Sequence, residues 1–80
     1  MKQQVGAIEL CYEKKGEGQP LILIHGNGED HTIFDAIMEP LSADFTVYAL
    51  DSRGHGDSTP VDTFDYSEMA EDVRGFIKAL

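Results

Sequence analysis

The chain has 80 residues, and its 15 acidic and six basic side chains give a formal net charge of −9 at pH 7. Because this charge repels a phosphate backbone, nucleic acid is not an expected partner. The single cysteine excludes an internal disulfide, and no stretch approaches the roughly 20 apolar residues of a bilayer span, so we expect a cytoplasmic protein without membrane contact.

The first part of the chain shows strand periodicity. Apolar side chains alternate with other residues over positions 8–13, and a short strand at residues 2–5 precedes them. Gly6 lies between the two segments and allows the chain to turn back on itself. The pattern predicts an N-terminal β-hairpin, followed by a loop over residues 14–20 that contains two glycines.

A buried strand and a helix are predicted next. Residues 21–24, Leu-Ile-Leu-Ile, form a continuous apolar run that is typical of a strand buried on both faces, so we expect it to be the central strand. Apolar residues then recur at helical spacing over residues 33–41. We expect Thr32 and Asp35 to form a capping box at the start of this helix, and Pro40 to bend or end it near the preceding residue.

The second half of the chain returns to a strand at residues 45–50 and continues into a glycine-rich loop at residues 52–62. The last element is a helix over residues 66–80, capped by Asp65 or Ser67. One face of this helix carries its apolar residues, which are Tyr66, Met69, Ala70, Val73, Phe76, Ile77 and Leu80. The order β-β-β-α-β-α predicts the α/β class, with a mostly parallel sheet behind an N-terminal hairpin.

Two glycine-containing segments follow the predicted parallel strands. We name residues 25–30 the first glycine loop and residues 51–58 the second glycine loop. Ligands of such sheets bind at the carboxyl ends of the strands, where both loops lie in this topology. The sequence therefore predicts that the two loops form the floor of one site.

The motifs of these segments resemble those of the α/β-hydrolase superfamily. The resemblance rests on Leu-Ile-Leu-Ile-His-Gly at residues 21–26, Tyr-Ala-Leu-Asp-Ser-Arg-Gly-His-Gly-Asp-Ser at residues 48–58, and Tyr-Ser-Glu-Met-Ala-Glu-Asp-Val at residues 66–73. It implies that residues 1–80 are the N-terminal portion of a single hydrolase domain. The Gly-x-Ser-x-Gly elbow that carries the nucleophile in this family does not occur in these 80 residues, so the resemblance implies that it lies beyond them.

The resemblance assigns a role to Asn27, whose backbone N–H would serve the oxyanion hole, so Asn27 is the candidate catalytic residue. A loop that leaves a strand toward a helix presents free N–H groups, and Gly26 and Gly28 would let a substrate carbonyl approach closely. An ordinary strand-to-helix turn is the alternative interpretation of Asn27. The resemblance makes His25, with Gly26 and Gly28, a loop-shaping residue near the site rather than a general base.

Other chemistries fit the sequence less well. No two histidines have the spacing of common zinc signatures, and neither glycine loop has a phosphate-binding fingerprint, so no metal and no cofactor are expected. A triad of Ser58, His55 and Asp57 is excluded because neighbours on one short loop cannot align for catalysis. His31 is predicted to be solvated, and Cys11 is predicted to be a buried thiol without a catalytic role.

Two functions stay open at this point. The first is the N-terminal part of an enzyme that acts on a small ester-like or related substrate through a serine or aspartate nucleophile beyond residue 80, with the isolated chain inactive. The second is a non-catalytic α/β-hydrolase-fold module that binds a small ligand or a partner. Because the edge of the strand at residues 21–24 would be unpaired, we expect it to be covered by the remainder of the hydrolase chain or by self-association.

Overall fold

The computed structural model describes residues 1–63 and 65–80. In this part of the chain the strands are β1 (Lys2–Val5), β2 (Ile8–Lys15), β3 (Gln19–Ile24) and β4 (Phe45–Leu50), and the α-helices are α1 (Asp35–Leu41) and α2 (Tyr66–Ala79). A short 3-10 helix at His31–Phe34 precedes α1. The predicted order β-β-β-α-β-α is confirmed, although β2 and β3 extend into the predicted loop and leave only residues 16–18 between them.

The strands form one sheet in the order β1-β2-β4-β3. The N-terminal hairpin is confirmed, since β1 and β2 pair antiparallel from Val5 opposite Ile8, and Gly6 adopts the positive φ of 59° that a tight hairpin turn requires. The β3–β4 pair is parallel, as a helical crossover demands, but β2 and β4 are antiparallel. The described sheet is therefore not mostly parallel, because the hairpin joins it through the antiparallel strand β2.

The prediction that β3 is the central strand is wrong for the described sheet, because β4 lies inside it and β3 forms its edge. Ile24 at the end of β3 is 51% exposed, whereas Val47 to Leu50 of β4 are all buried. A continuous apolar run shows that both faces of a strand pack against apolar groups, but it does not show how many neighbouring strands are present. The expected unpaired edge at residues 21–24 is present in the described sheet.

The core lies on both faces of β4, because successive side chains of a strand point to opposite sides. Val47 and Ala49 pack with Met38 of α1 on one face. Tyr48 and Leu50 pack on the other face against Phe76 of α2 and against β2. The fold is thus a sheet with a helix on each side, and β4 holds the two layers together.

The start of the first helical segment differs from the predicted capping box. Asp30 caps it instead, since its side chain accepts hydrogen bonds from the backbone N–H and the hydroxyl of Thr32. Asp35 begins α1 without a side-chain cap before it. Pro40 lies inside α1, which ends one residue later at Leu41, so the predicted end near Pro40 is confirmed within the usual uncertainty of helix ends.

The start of α2 is as predicted, because the Asp65 side chain accepts a hydrogen bond of 2.7 Å from the backbone N–H of Ser67. Its apolar face is only partly covered, however. Phe76 is fully buried, whereas Tyr66, Ile77 and Leu80 are at least half exposed. Neither described α-helix is long and apolar enough to cross a membrane.

The end of the second glycine loop is bound to β2. The backbone N–H of Cys11 donates to the Ser58 hydroxyl at 2.8 Å, and the backbone N–H of Glu9 donates to the Thr59 hydroxyl at 2.8 Å. The backbone N–H of Thr59 donates to the carbonyl of Glu9 at 3.0 Å. These three bonds fix residues 58–59 along the part of β2 that β4 does not reach.

Candidate active site

The two glycine loops meet at the carboxyl ends of β3 and β4, as the sequence predicts. The backbone N–H of Ser52 donates to Nε2 of His25 at 3.0 Å, and the backbone N–H of Gly28 donates to Nε2 of His55 at 3.0 Å. Each loop therefore supplies an imidazole that accepts a hydrogen bond from the backbone of the other. The two rings also lie against each other, with centroids 4.9 Å apart.

The environment of His25 is that of a residue that shapes a loop. Its ring is buried, Nδ1 lies 2.7 Å from the carbonyl oxygen of Gly26, and Nε2 accepts from Ser52. Since Nε2 accepts, Nδ1 carries the proton and donates. Both nitrogens are engaged with backbone groups, so the ring has no nitrogen available for proton transfer to a substrate.

The first glycine loop presents three consecutive backbone N–H groups, and their environments differ. The N–H of Gly26 donates to Oε1 of Glu29 at 2.8 Å, and that of Gly28 donates to His55. Over residues 1–63 and 65–80, the N–H of Asn27 between them has no hydrogen-bond acceptor. Asn27 itself is exposed, so among these three N–H groups its own is the one that a ligand can use.

The glycines of the first loop act in different ways. Gly28 has a positive φ of 82°, which favours glycine. A Cβ on Gly26 would lie 2.7 Å from Oε1 of Glu29, so a side chain there would disturb the bond that the Gly26 N–H makes. The structure thus gives Gly26 a role in loop packing and Gly28 a role in the loop's path.

Asp51 is the fully buried anchor of the second glycine loop. Its Oδ1 accepts from the backbone N–H of His31 at 2.7 Å and lies 2.8 Å from Nδ1 of the same residue, while Oδ2 accepts from the backbone N–H of Asp57 at 3.0 Å. Burial acts to raise the pKa of Asp51, but the backbone and His31 hydrogen bonds outweigh it and hold that pKa below its ordinary value. The carboxylate is therefore ionised and structural.

The prediction that His31 is a solvated side chain is wrong. Its side chain is only 15% exposed and is bonded to Asp51, with Glu13 4.0 Å from Nε2. Burial acts to lower the pKa of His31, but the hydrogen bond and charge of Asp51 raise it above its ordinary value. Sequence reasoning missed this pair because residues 20 positions apart meet only through the crossover between β3 and β4.

A cavity of about 390 Å³ opens beside the first glycine loop, between the end of β3 and the first half of α2. Its lining is mostly apolar and comprises Ile24, His25, Gly26, Asn27, Ser52, Tyr66, Met69, Ala70 and Val73. Asn27, whose N–H is free, therefore lines an apolar space of the size that small ligands occupy.

Two groups of described side chains lie close enough together to ligate a metal ion by distance alone. Asp30, His31 and Asp51 place ligand atoms within 4.8 Å of one another, as do Cys11, Asp51 and Asp57. The two oxygens of Asp51, which both groups share, already accept from backbone N–H groups. Burial and the charge of Asp51 raise the pKa of the Cys11 thiol, which disfavours the thiolate that metals bind.

The family model for the α/β hydrolase fold matches residues 19–80 of this chain. The chain belongs to the α/β-hydrolase family. The matched region contains both glycine loops, the cavity and all elements from β3 to α2. The predicted resemblance to the superfamily and the predicted α/β class are thus confirmed.

Named hydrolases are among the relatives of this α/β-hydrolase chain. A 2-(acetamidomethylene)succinate hydrolase of Mesorhizobium japonicum is 35% identical over 77 residues, which are 95% of this chain and 28% of that protein. A soluble epoxide hydrolase of Corynebacterium sp. is 36% identical over 77 residues, with 95% and 27% covered. The chain thus spans less than a third of the length of these curated relatives.

Solved structures agree with the fold. The structure of the epoxide hydrolase CorEH without ligand matches with a TM-score of 0.93 at 34% identity, covering 99% of this chain and 28% of that chain. The crystal structure of an E-2-(acetamidomethylene)succinate hydrolase matches with a TM-score of 0.88 at 33% identity, covering 99% and 31%. The chain therefore has the fold of the corresponding part of these enzymes.

Proposed function

We propose that these 80 residues supply the oxyanion-binding side of an α/β-hydrolase active site, with the backbone N–H of Asn27 as the donor. The observation that supports the proposal is the contrast within the first glycine loop: the N–H groups of Gly26 and Gly28 are engaged, and that of Asn27 is free beside the cavity. A fixed donor aimed at the position where negative charge develops stabilises the transition state without reorganisation.

The nucleophile of the proposed reaction is a serine or aspartate outside these residues. Within the described part of the chain, the hydroxyl of Ser58 is buried and donates to the carbonyl of Asp51 at 2.6 Å, so it is not a candidate nucleophile. The imidazole nitrogens of His25 and His55 are engaged with backbone groups. We therefore expect these 80 residues alone to have no esterase turnover.

The proposed substrate is a small ester-like molecule. Hydrolysis of esters and amides passes through an oxyanion, which is the charge that a single free N–H next to an apolar cavity suits. Curated relatives include a pimeloyl-[acyl-carrier protein] methyl ester esterase of Aliivibrio salmonicida, 36% identical over 64 residues, covering 80% of this chain and 24% of that protein. The small-molecule substrate and the cytoplasmic location stay predictions.

The role of Asn27 is tested by replacing it with proline, which has no N–H, and with alanine, which keeps it. The variants belong in the active protein that joins these residues to the nucleophile. We expect Asn27→Pro to lower kcat by about 10²- to 10³-fold, the loss typical of one missing oxyanion donor, and Asn27→Ala to change kcat little. Equal kcat values for two variants with native circular dichroism would contradict the proposal.

The inactivity of the isolated residues is tested separately with a fluorophosphonate probe, which labels activated serines. We expect no labelling of the 80-residue chain, whereas stoichiometric labelling would show that a nucleophile is present in it. The alternative function, a non-catalytic binding module, predicts ligand binding at the cavity in the active-protein context and no dependence of any turnover on the N–H of residue 27.

A further inference from the structure

The path of the first glycine loop depends on a side chain of the second loop. Gly28 follows Asn27 directly, so the orientation of the Gly28 peptide influences where the Asn27 N–H points. A Cβ on Gly28 would meet no described atom within 4 Å, so the side of the residue to which a Cβ would point is open. Its contact is the 3.0 Å hydrogen bond from its N–H to Nε2 of His55.

The side chain of His55 is well suited to hold this bond. The ring is only 8% exposed, and Nδ1 lies 3.0 Å from the carbonyl oxygen of Arg53 in its own loop. Because a carbonyl only accepts, Nδ1 carries the proton, and Nε2 is then the acceptor that Gly28 needs. The second loop thus sets both the orientation of the ring and the nitrogen that bears the proton.

We propose that His55 is a positioning residue, which acts through Gly28 to hold the N–H of Asn27 toward the cavity. This inference rests on the proposed function of Asn27. His55 does not touch a substrate in this arrangement, because the ring is buried and both nitrogens are engaged. The bond also keeps the N–H of Gly28 away from the cavity and leaves Asn27 as the donor.

Three replacements of His55 separate the acceptor from the rest of the ring. The glutamine of His55→Gln carries an acceptor oxygen about as far from the backbone as Nε2 of histidine. The asparagine of His55→Asn carries its amide only as far from the backbone as Nδ1. The asparagine variant can keep the bond to Arg53 but cannot reach Gly28, and His55→Leu can make neither bond. If the ring served only to pack the loop, asparagine and glutamine would replace it equally well.

The first readout is the hydrogen exchange of the Gly28 amide, measured by NMR in the folded native protein and in each folded variant. We expect exchange of the Gly28 N–H to become at least about tenfold faster in His55→Leu and His55→Asn, and to return toward the native rate in His55→Gln. His31→Gln, which removes an imidazole that bonds Asp51 rather than Gly28, should leave the exchange of Gly28 unchanged relative to that of core amides, which report the change in global stability. Unchanged Gly28 exchange in folded His55→Leu would overturn the proposal.

The second readout is the kinetics of the active protein. We expect kcat to fall about tenfold to 10²-fold in His55→Asn, with little change in KM, and to recover in His55→Gln. If Asn27→Pro lowers kcat and His55→Asn does not, the positioning role of His55 is wrong and the function of Asn27 stands. If Asn27→Pro itself leaves kcat unchanged, the proposed function fails first, and the positioning role fails with it.

Discussion

Two buried side chains, His25 and His55, connect the glycine loops through hydrogen bonds to backbone groups, and the buried Asp51 binds the second loop to the backbone N–H of His31, directly after the first. The resemblance to the α/β-hydrolase superfamily implies this loop-shaping role for His25. It does not predict which backbone group each side chain binds, since this depends on the relative placement of two loops about 25 residues apart. The free N–H of Asn27 is visible only once those partners are assigned.

The pair of His31 and Asp51 makes stability depend on pH. The pKa of His31 is raised in the folded state, so its contribution is complete below about pH 6.5 and is lost as the pH rises through the raised value. The pKa of Asp51 is lowered, so its contribution is present above about pH 4 and is lost as the pH falls through the lowered value. The pair therefore stabilises most between about pH 4 and pH 6.5.

This dependence is measured with His31→Gln. Urea unfolding at pH 5.5 should show a loss of about 1.5–3 kcal/mol relative to the native protein, the range for a hydrogen bond to a charged group. At pH 8.5 the loss should be smaller, because the stabilisation by the charge of His31 declines as the pH rises through its raised pKa. A loss that is the same at both pH values would show that the charge of His31 does not contribute.

Among the helices and strands, features that depend on neighbouring residues were mostly predicted correctly. Features that depend on the pairing of distant strands were not. The turn at Gly6 and the cap at Asp65 depend on neighbours in sequence, and both are found. The edge position of β3 depends on which strands pair, and the predicted capping box of Thr32 and Asp35 is wrong because Asp30 caps this segment. Apolar periodicity also gives no measure of how much of the face of α2 is covered.

The position of α2 over the second glycine loop depends on Arg53. Its Nε and Nη2 donate to the two oxygens of the buried Asp72 at 2.7 Å and 2.8 Å, and Nη1 donates to Glu68 at 3.2 Å. Such a two-pronged bond fixes direction as well as distance. The side of the cavity that α2 forms is thereby held in a fixed orientation relative to the glycine loops.

Loss of this bond is expected to be costly. Arg53→Met leaves the buried carboxylate of Asp72 unpaired, so we expect the free energy of unfolding to fall by about 3–5 kcal/mol. Arg74→Met is the matched control, because Arg74 pairs with Glu71 on the surface at 3.6 Å and such pairs contribute about 0–1 kcal/mol. Similar losses for both variants in urea unfolding would contradict the role given to Arg53.

At the scale of the whole molecule, the outer edge of β3 is unpaired among the described residues. The backbone groups of such an edge are available to another strand. We propose that this edge pairs with further chain of the hydrolase, or with a second copy when the 80 residues are alone. The apolar end of β3 at Ile24, next to the cavity, favours such contact.

Self-association of the 80-residue chain is tested by light scattering over a range of concentrations. Ile24→Lys places a charge at the edge and should weaken association, since lysine at an edge strand opposes pairing. Ile77→Lys is the matched control, because Ile77 on α2 is 52% exposed and Ile24 is 51% exposed. A native chain that stays monomeric at high concentration, or equal effects of the two variants, would contradict pairing through β3.

The bonds between β2 and residues 58–59 bear on how the chain folds. Glu9 and Thr59 are 50 residues apart, so they meet only after a long loop has closed. The hairpin of β1 and β2 needs a turn of two residues and forms fast, while closure over 50 residues is slow. His55 lies shortly before Thr59 in the sequence, so its placement depends on this slow closure. We therefore expect the sheet to form first and the candidate site to be assembled last.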